Sequence, residues 1–155
     1  MCSSDLEEPK ANEILILGLG GGTLCHLFAK HLPNVRITSV EIDPVMVEVA
    51  KEFFDLDSIP NHRVVVGDAL RVVAHPEKFD IDKHSFNVLI VDIYRGFDFP
   101  DLGNTGTFFS GIKNILVPGG LVVFNRITLN NQQHNVNKFY ENVKESFSNV
   151  NRIAI

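Results

Sequence analysis

Apolar residues fall into short runs divided by polar punctuation along the 155-residue chain. Ile14 to Leu17 is a continuous apolar run that breaks at once into Gly18, Gly20, Gly21 and Gly22. From Thr23 the period changes: Leu24, Leu27, Phe28 and Leu32 recur at helical spacing until Pro33-Asn34 stops them. Arg36 to Glu41 predicts a second strand. Pro44 then suits the first position of a helix whose inner face is expected at Val45, Val49 and Phe53, with Met46 beside it. Arg63 to Val66, Phe86 to Val91 and Leu121 to Phe124 predict three more strands. Between them, Ala69 to Val73 starts a short helix, His75 to His84 reads as a polar loop, and Phe108 to Leu116 reads as a helix. Val136, Phe139, Tyr140 and Val143 mark a last helix, and Val150 to Ile155 is left as a final strand.

Strands and helices thus alternate five times, and the strand bodies are apolar throughout rather than alternating. That is the pattern of strands covered on both faces. It predicts a doubly wound, mainly parallel α/β sheet, with a polar N-terminal tail over 1–12 and one cofactor-binding domain over 13–155. In such sheets ligands bind beyond the carboxyl ends of the strands. Those ends carry Gly18 to Gly22, Glu41 with Asp43, Gly67 with Asp68, then Asp92 and Asn125.

Composition narrows the classes. A net charge of −5 argues against a broad nucleic-acid footprint. No apolar run approaches the length of a membrane span, and the first ten residues lack the basic and apolar regions of a signal peptide. Cys2 and Cys25 are the only cysteines and fall in a tail and a helix, so a reducing, cytoplasmic setting is expected. The six histidines form no pair at metal-ligand spacing, and no metal site is expected.

The chemistry lies in the glycine turn and the strand-end acids. Glycine lets a ligand approach bare backbone, and the helix after the turn offers unpaired N–H groups and partial positive charge. Glu41 lies 23 residues beyond Gly18, near the spacing at which an acid meets a ribose in nucleotide-binding βαβ units. A fixed carboxylate can accept both donors of a vicinal diol, and Asp68 suits the exocyclic amine of adenine. Asp43 before Pro44 and Asp68 before Ala69 are equally good helix N-caps, so each has two readings. The dinucleotide fingerprint is not matched, because Thr23 stands where its third small residue belongs.

The pieces Ile16-Leu-Gly-Leu-Gly-Gly-Gly-Thr-Leu24, Val40-Glu-Ile-Asp-Pro44, Val66-Gly-Asp-Ala69, Val91-Asp-Ile-Tyr94 and Leu116-Val-Pro-Gly-Gly-Leu121 come in this order, each at a strand end. Together they resemble the class I S-adenosylmethionine-dependent methyltransferase fold, and within it the spermidine-synthase-like branch. The resemblance implies S-adenosylmethionine as cofactor and S-adenosylhomocysteine as product. It puts Gly18, Gly20, Gly21 and Gly22 under the methionine and ribose, Glu41 on the ribose hydroxyls, and Ile42 and Asp43 beside the adenine. Asp68 would accept from the adenine amine, with Gly67 and Ala69 next to it, and Asp92 would lie near the sulfonium.

Spermidine synthases use a decarboxylated cofactor with a cationic tail. Their glycine turn typically carries an acid for it, where this chain has Gly21, and a D-S-S-D stretch where this chain has Asp92-Ile-Tyr-Arg95. Arg95 cannot act as the base and would repel a polyamine. Methyl transfer to an unidentified acceptor is therefore expected, with Asp92, Tyr94 and Arg95 as candidates for acid–base or orienting work. A non-catalytic cofactor-binding or interaction domain and an aminopropyltransferase relative are the alternatives. The methyltransferase fold ends in an antiparallel hairpin for which this chain offers at most one strand, so the open sheet edge is expected to be covered by self-association, by Val150 to Ile155 moving inward, or by sequence outside this chain.

Overall fold

The computed structural model describes residues 13–32, 34–94, 105–126 and 133–153. The tail over 1–12 and Arg95 lie outside the described residues. Five strands, β1 (Glu13–Leu17), β2 (Arg36–Glu41), β3 (His62–Val66), β4 (Phe86–Val91) and β5 (Leu116–Phe124), pair in the order β3-β2-β1-β4-β5. Every pairing is parallel. The chain winds outward from β1 to β3, then returns to lay β4 and β5 on the other side. The direction therefore reverses between β1 and β4, where an open α/β sheet forms its crevice.

The helices α1 (Thr23–His31), α2 (Pro44–Phe54), α3 (Ala69–Ala74), α4 (Thr105–Ile115) and α5 (Gln133–Ser146) form two layers. One face of the sheet, with Ile14, Ile16, Ile37 and Ile90, packs against Cys25 of α1, Val47 and Ala50 of α2, and Leu56 and Ile59. The other, with Leu15, Leu17, Val40, Leu89 and Val91, packs against Val72 and Val73, then Phe109, Ile112 and Ile115 of α4 and Val143 of α5. On that side Phe109 meets Phe124, Phe139 and Phe147 edge-on at 5.7, 5.9 and 5.6 Å between ring centres. Such pairs add about 0.5–1.5 kcal/mol each beyond area burial.

Several expectations are corrected. Val45 and Phe53 are 64% and 69% exposed, and α2 instead turns Val47 and Ala50 inward. Small Ala50 lets the helix lie close to the sheet, whereas the bulkier stripe would hold it off. The stretch from His75 to His84 is not simply a polar loop. It carries a 3₁₀ turn over Pro76–Phe79 and buries Pro76 and Ile81. Leu116 belongs to β5 rather than to the helix before it, pairing with Phe86 ahead of a register shift that brings Leu121 opposite Val88. No strand forms over 150–153. The strands are not all covered on both faces either: Leu121 and Val123 of β5 are 57% and 41% exposed.

Candidate functional site

The carboxyl ends of the strands converge on a cavity of about 310 Å³. It is lined by Gly18, Leu19, Gly20, Val40, Glu41, Ile42, Met46, Gly67, Asp68, Ala69, Leu70, Asp92, Ile93 and Tyr94. Gly18 cannot be replaced cheaply. Its φ is +102°, and a Cβ there would stand 2.2 Å from the carbonyl oxygen of Asp92. That contact draws the end of β1 against the end of β4, and the Asp92 amide closes it by donating to Leu17 at 2.8 Å. Gly20 is different: nothing lies within 4 Å of where its Cβ would be, so bare backbone faces open space. Gly22, at φ +78°, starts α1 with no side-chain cap, and no acid stands in the first turn.

Glu41 is held from both sides. Its Oε2 accepts from the Leu19 amide at 3.2 Å and its Oε1 from the Asp43 amide at 3.0 Å. Each oxygen keeps a further lone pair, so a fixed carboxylate remains able to accept two more donors. Asp68 caps α3 through Oδ1, which accepts from Leu70 at 2.7 Å and from Arg71 at 3.4 Å. Among the described residues its other oxygen makes no hydrogen bond. At Asp68 the two sequence readings are therefore compatible. Asp43 is placed otherwise: its carboxylate caps α2 by accepting from Val45 at 2.9 Å, and it does not line the cavity. Gly21 and Gly22 also lie off the cavity wall, and the Phe54 ring comes within 3.4 Å of where a Cβ of Gly21 would be.

At the β4 end, Asp92 accepts from the Asn125 side chain at 2.7 Å, and the Tyr94 hydroxyl donates to the Asn125 carbonyl at 2.8 Å. Leu19, Val40, Met46, Leu70 and Ile93 complete the wall, and sequence reasoning did not single them out as site residues. Leu19 was findable, because the residue between the first two glycines is carried into the site with them. Met46 was not, because only the turn of α2 brings it there.

The Ser39 hydroxyl and His62 Nε2 lie 2.8 Å apart. Burial lowers the His62 pKa from its ordinary value of 6.5, with the neighbouring His26 acting the same way, while burial pushes the Cys25 thiol up to about 11.

The open parallel sheet in this strand order, with an acid at the second strand end and glycines at the first, is that of the Rossmann-like methyltransferase fold. The solved structure of human methyltransferase-like protein 13 with S-adenosylhomocysteine shares it, at a TM-score of 0.75 and 24% identity over 91% of this chain and 65% of that one. The family model for the spermine/spermidine synthase domain matches residues 2–155, and the chain belongs to that family. Its relatives differ in chemistry. An eEF1A lysine and N-terminal methyltransferase homolog of Drosophila pseudoobscura pseudoobscura is 37% identical over 81% of this chain, which spans 20% of that protein. A polyamine aminopropyltransferase of Vibrio vulnificus is 28% identical over 93% of this chain, which spans 47% of that protein.

Proposed function

We propose that this chain binds S-adenosylmethionine and transfers its methyl group to an acceptor. The observation that carries the reading is Glu41, fixed by two backbone amides on the cavity wall with acceptor capacity to spare. Strands in a sheet lie about 4.8 Å apart, so the cavity spans roughly 14 Å from the end of β3 to the end of β4. That is room for an adenosine laid across the strand ends. With the adenine amine at Asp68 and the ribose at Glu41, the sulfur end falls toward Gly18 and Asp92. The bare backbone at Gly20 leaves space for the ligand to pass. Asp43, Gly21 and Gly22 support the site from behind, as a helix cap and as the turn.

The cofactor, when bound, supplies an activated methyl on a positively charged sulfur. The protein has to align an acceptor with it and take a proton where the acceptor carries one. Asp92 and Tyr94 stand on the wall at that end, with Arg95 next in sequence, and we assign acceptor orientation and proton handling to this group. The methyltransferase homolog of the fly and the human structure with S-adenosylhomocysteine support the cofactor and the reaction class.

Aminopropyl transfer is the second reading, favoured by the family model and the Vibrio relative. It needs an acid for a cationic cofactor tail. The first turn of α1 has none, and the Phe54 ring stands at Gly21. Arg95 adds charge of the wrong sign for a polyamine. Release of labelled methyl from S-adenosylmethionine into a panel of proteins and small acceptors tests the proposal. Efficient turnover of putrescine with the decarboxylated cofactor overturns it in favour of the second reading. Binding without transfer to any acceptor supports a cofactor-binding domain instead.

Two further features belong to the same proposal. No described helix is long and apolar enough to cross a membrane, and buried Cys25 suits a reducing cytoplasmic setting. The exposed Leu121 and Val123 on β5 support coverage of that face by a second copy of the chain.

A further inference from the structure

Asn125 does not line the cavity, yet it grips the segment that does. Its backbone amide donates to the Val91 carbonyl at 2.9 Å, its carbonyl accepts from the Tyr94 hydroxyl at 2.8 Å, and its side-chain amide donates to Asp92 Oδ1 at 2.7 Å. One residue at the end of β5 thus fixes three points along Val91 to Tyr94. The amide donor on Oδ1 fixes one orientation of the Asp92 carboxylate. Among the described residues no other group bonds that carboxylate.

We propose that Asn125 is a positioning residue that holds the Asp92 carboxylate in one orientation at the sulfur end of the cavity, and so makes the site prefer a sulfonium to a neutral thioether. The inference rests on the cofactor reading above. S-adenosylmethionine and S-adenosylhomocysteine share adenine, ribose and amino-acid tail, and differ only in the methyl and the charge at sulfur. Their affinity ratio therefore isolates what Asp92 does, whatever the acceptor. A site set this way also sheds its product after the charge is lost.

The test is calorimetric titration of the full chain with each compound, on the wild type, Asn125→Leu, Asp92→Asn and the double variant, with thermal melts alongside. Asn125→Leu keeps the size and removes the donor. It is expected to cut the preference for S-adenosylmethionine by about three- to tenfold while S-adenosylhomocysteine binding holds. In the Asp92→Asn background the same change is expected to do nothing more, because its effect runs through Asp92. Should Asn125→Leu fold poorly, Asn125→Ser, which cannot reach as far, carries the same expectation. An unchanged ratio in Asn125→Leu, or an equal loss for both compounds, overturns the inference and leaves the cofactor reading standing. A wild type that binds neither compound overturns both.

Discussion

β1 and β5 are parallel strands with nearly the same apolar character, Ile-Leu-Ile-Leu in one and Leu-Val-Val-Phe in the other. Their surroundings differ. In β1 every residue from Ile14 to Leu17 is 2% exposed or less, because helices lie on both faces and strands on both edges. In β5 one face is partly buried: Val122 and Phe124 pack on the core, and the Phe124 ring meets Phe109 and Phe139 at 5.7 and 5.3 Å. The opposite face shows Leu121 and Val123 to solvent. The two strands also serve the site differently. β1 ends in the glycine turn that forms part of the cavity wall, while among the described residues β5 bears on the cavity through Asn125 and its hold on Asp92 and Tyr94. The central strand gives rigidity and bare backbone; the edge strand gives one polar residue at its end and keeps an apolar face for something else.

The sharpest way to break the comparison is truncation on each strand. Leu15→Ala empties a fully buried position and is expected to cost about 2–5 kcal/mol, while Val123→Ala stays within about 0.5 kcal/mol. Chemical denaturation of both variants decides it, and similar losses would mean that the β5 face is covered in solution. Phe124→Leu keeps apolar bulk but removes a ring from the aromatic cluster, and an intermediate loss of about 1–2 kcal/mol by the same measurement is expected. The exposed face itself is read by light scattering after size exclusion. The wild type is expected to associate as concentration rises and Leu121→Lys to remain monomeric; a wild type that is monomeric throughout removes the self-association proposal.

The smallest effect concerns pH. Burial lowers the His62 pKa, so the folded state binds fewer protons than the unfolded one just below the ordinary value of 6.5. The contribution of neutral His62 is present above that value and is lost as pH falls toward its lowered folded pKa. Stability is therefore expected to drop on mild acidification, and His62→Gln to flatten that drop in melts taken across the window. An unaltered slope would show that His62 binds its proton alike in the folded and unfolded states.

The strand ends were legible in the sequence because they are local: an apolar run followed by glycine or an acid has few other readings. Gly18, Glu41, Asp68 and Asp92 all fall on the cavity wall. What covers a strand is not local. The apolar run in β5 reads like the one in β1, and only the placement of distant helices separates them. The same limit explains α2. Val45, Val49 and Phe53 keep helical spacing, but so do Val47, Ala50 and Phe54, and the choice between stripes depends on how closely the helix can approach the sheet. Asn125 was visible as a strand-end polar residue, but its bond to Asp92, 33 positions away, was not.

Glu41 is where the cofactor proposal stands or falls. Its two backbone contacts mean that Glu41→Ala will cost some stability as well, about 1 kcal/mol, so the variant is compared at a temperature where both proteins are folded. Titration of S-adenosylmethionine into the wild type and Glu41→Ala is then the decisive measurement. Binding to the wild type, weakened in the variant by roughly 1.5–3 kcal/mol, is the predicted result, on the scale of hydrogen bonds to a charged group. Equal affinity in the two proteins, or tight binding of NAD with no response to S-adenosylmethionine, would contradict it.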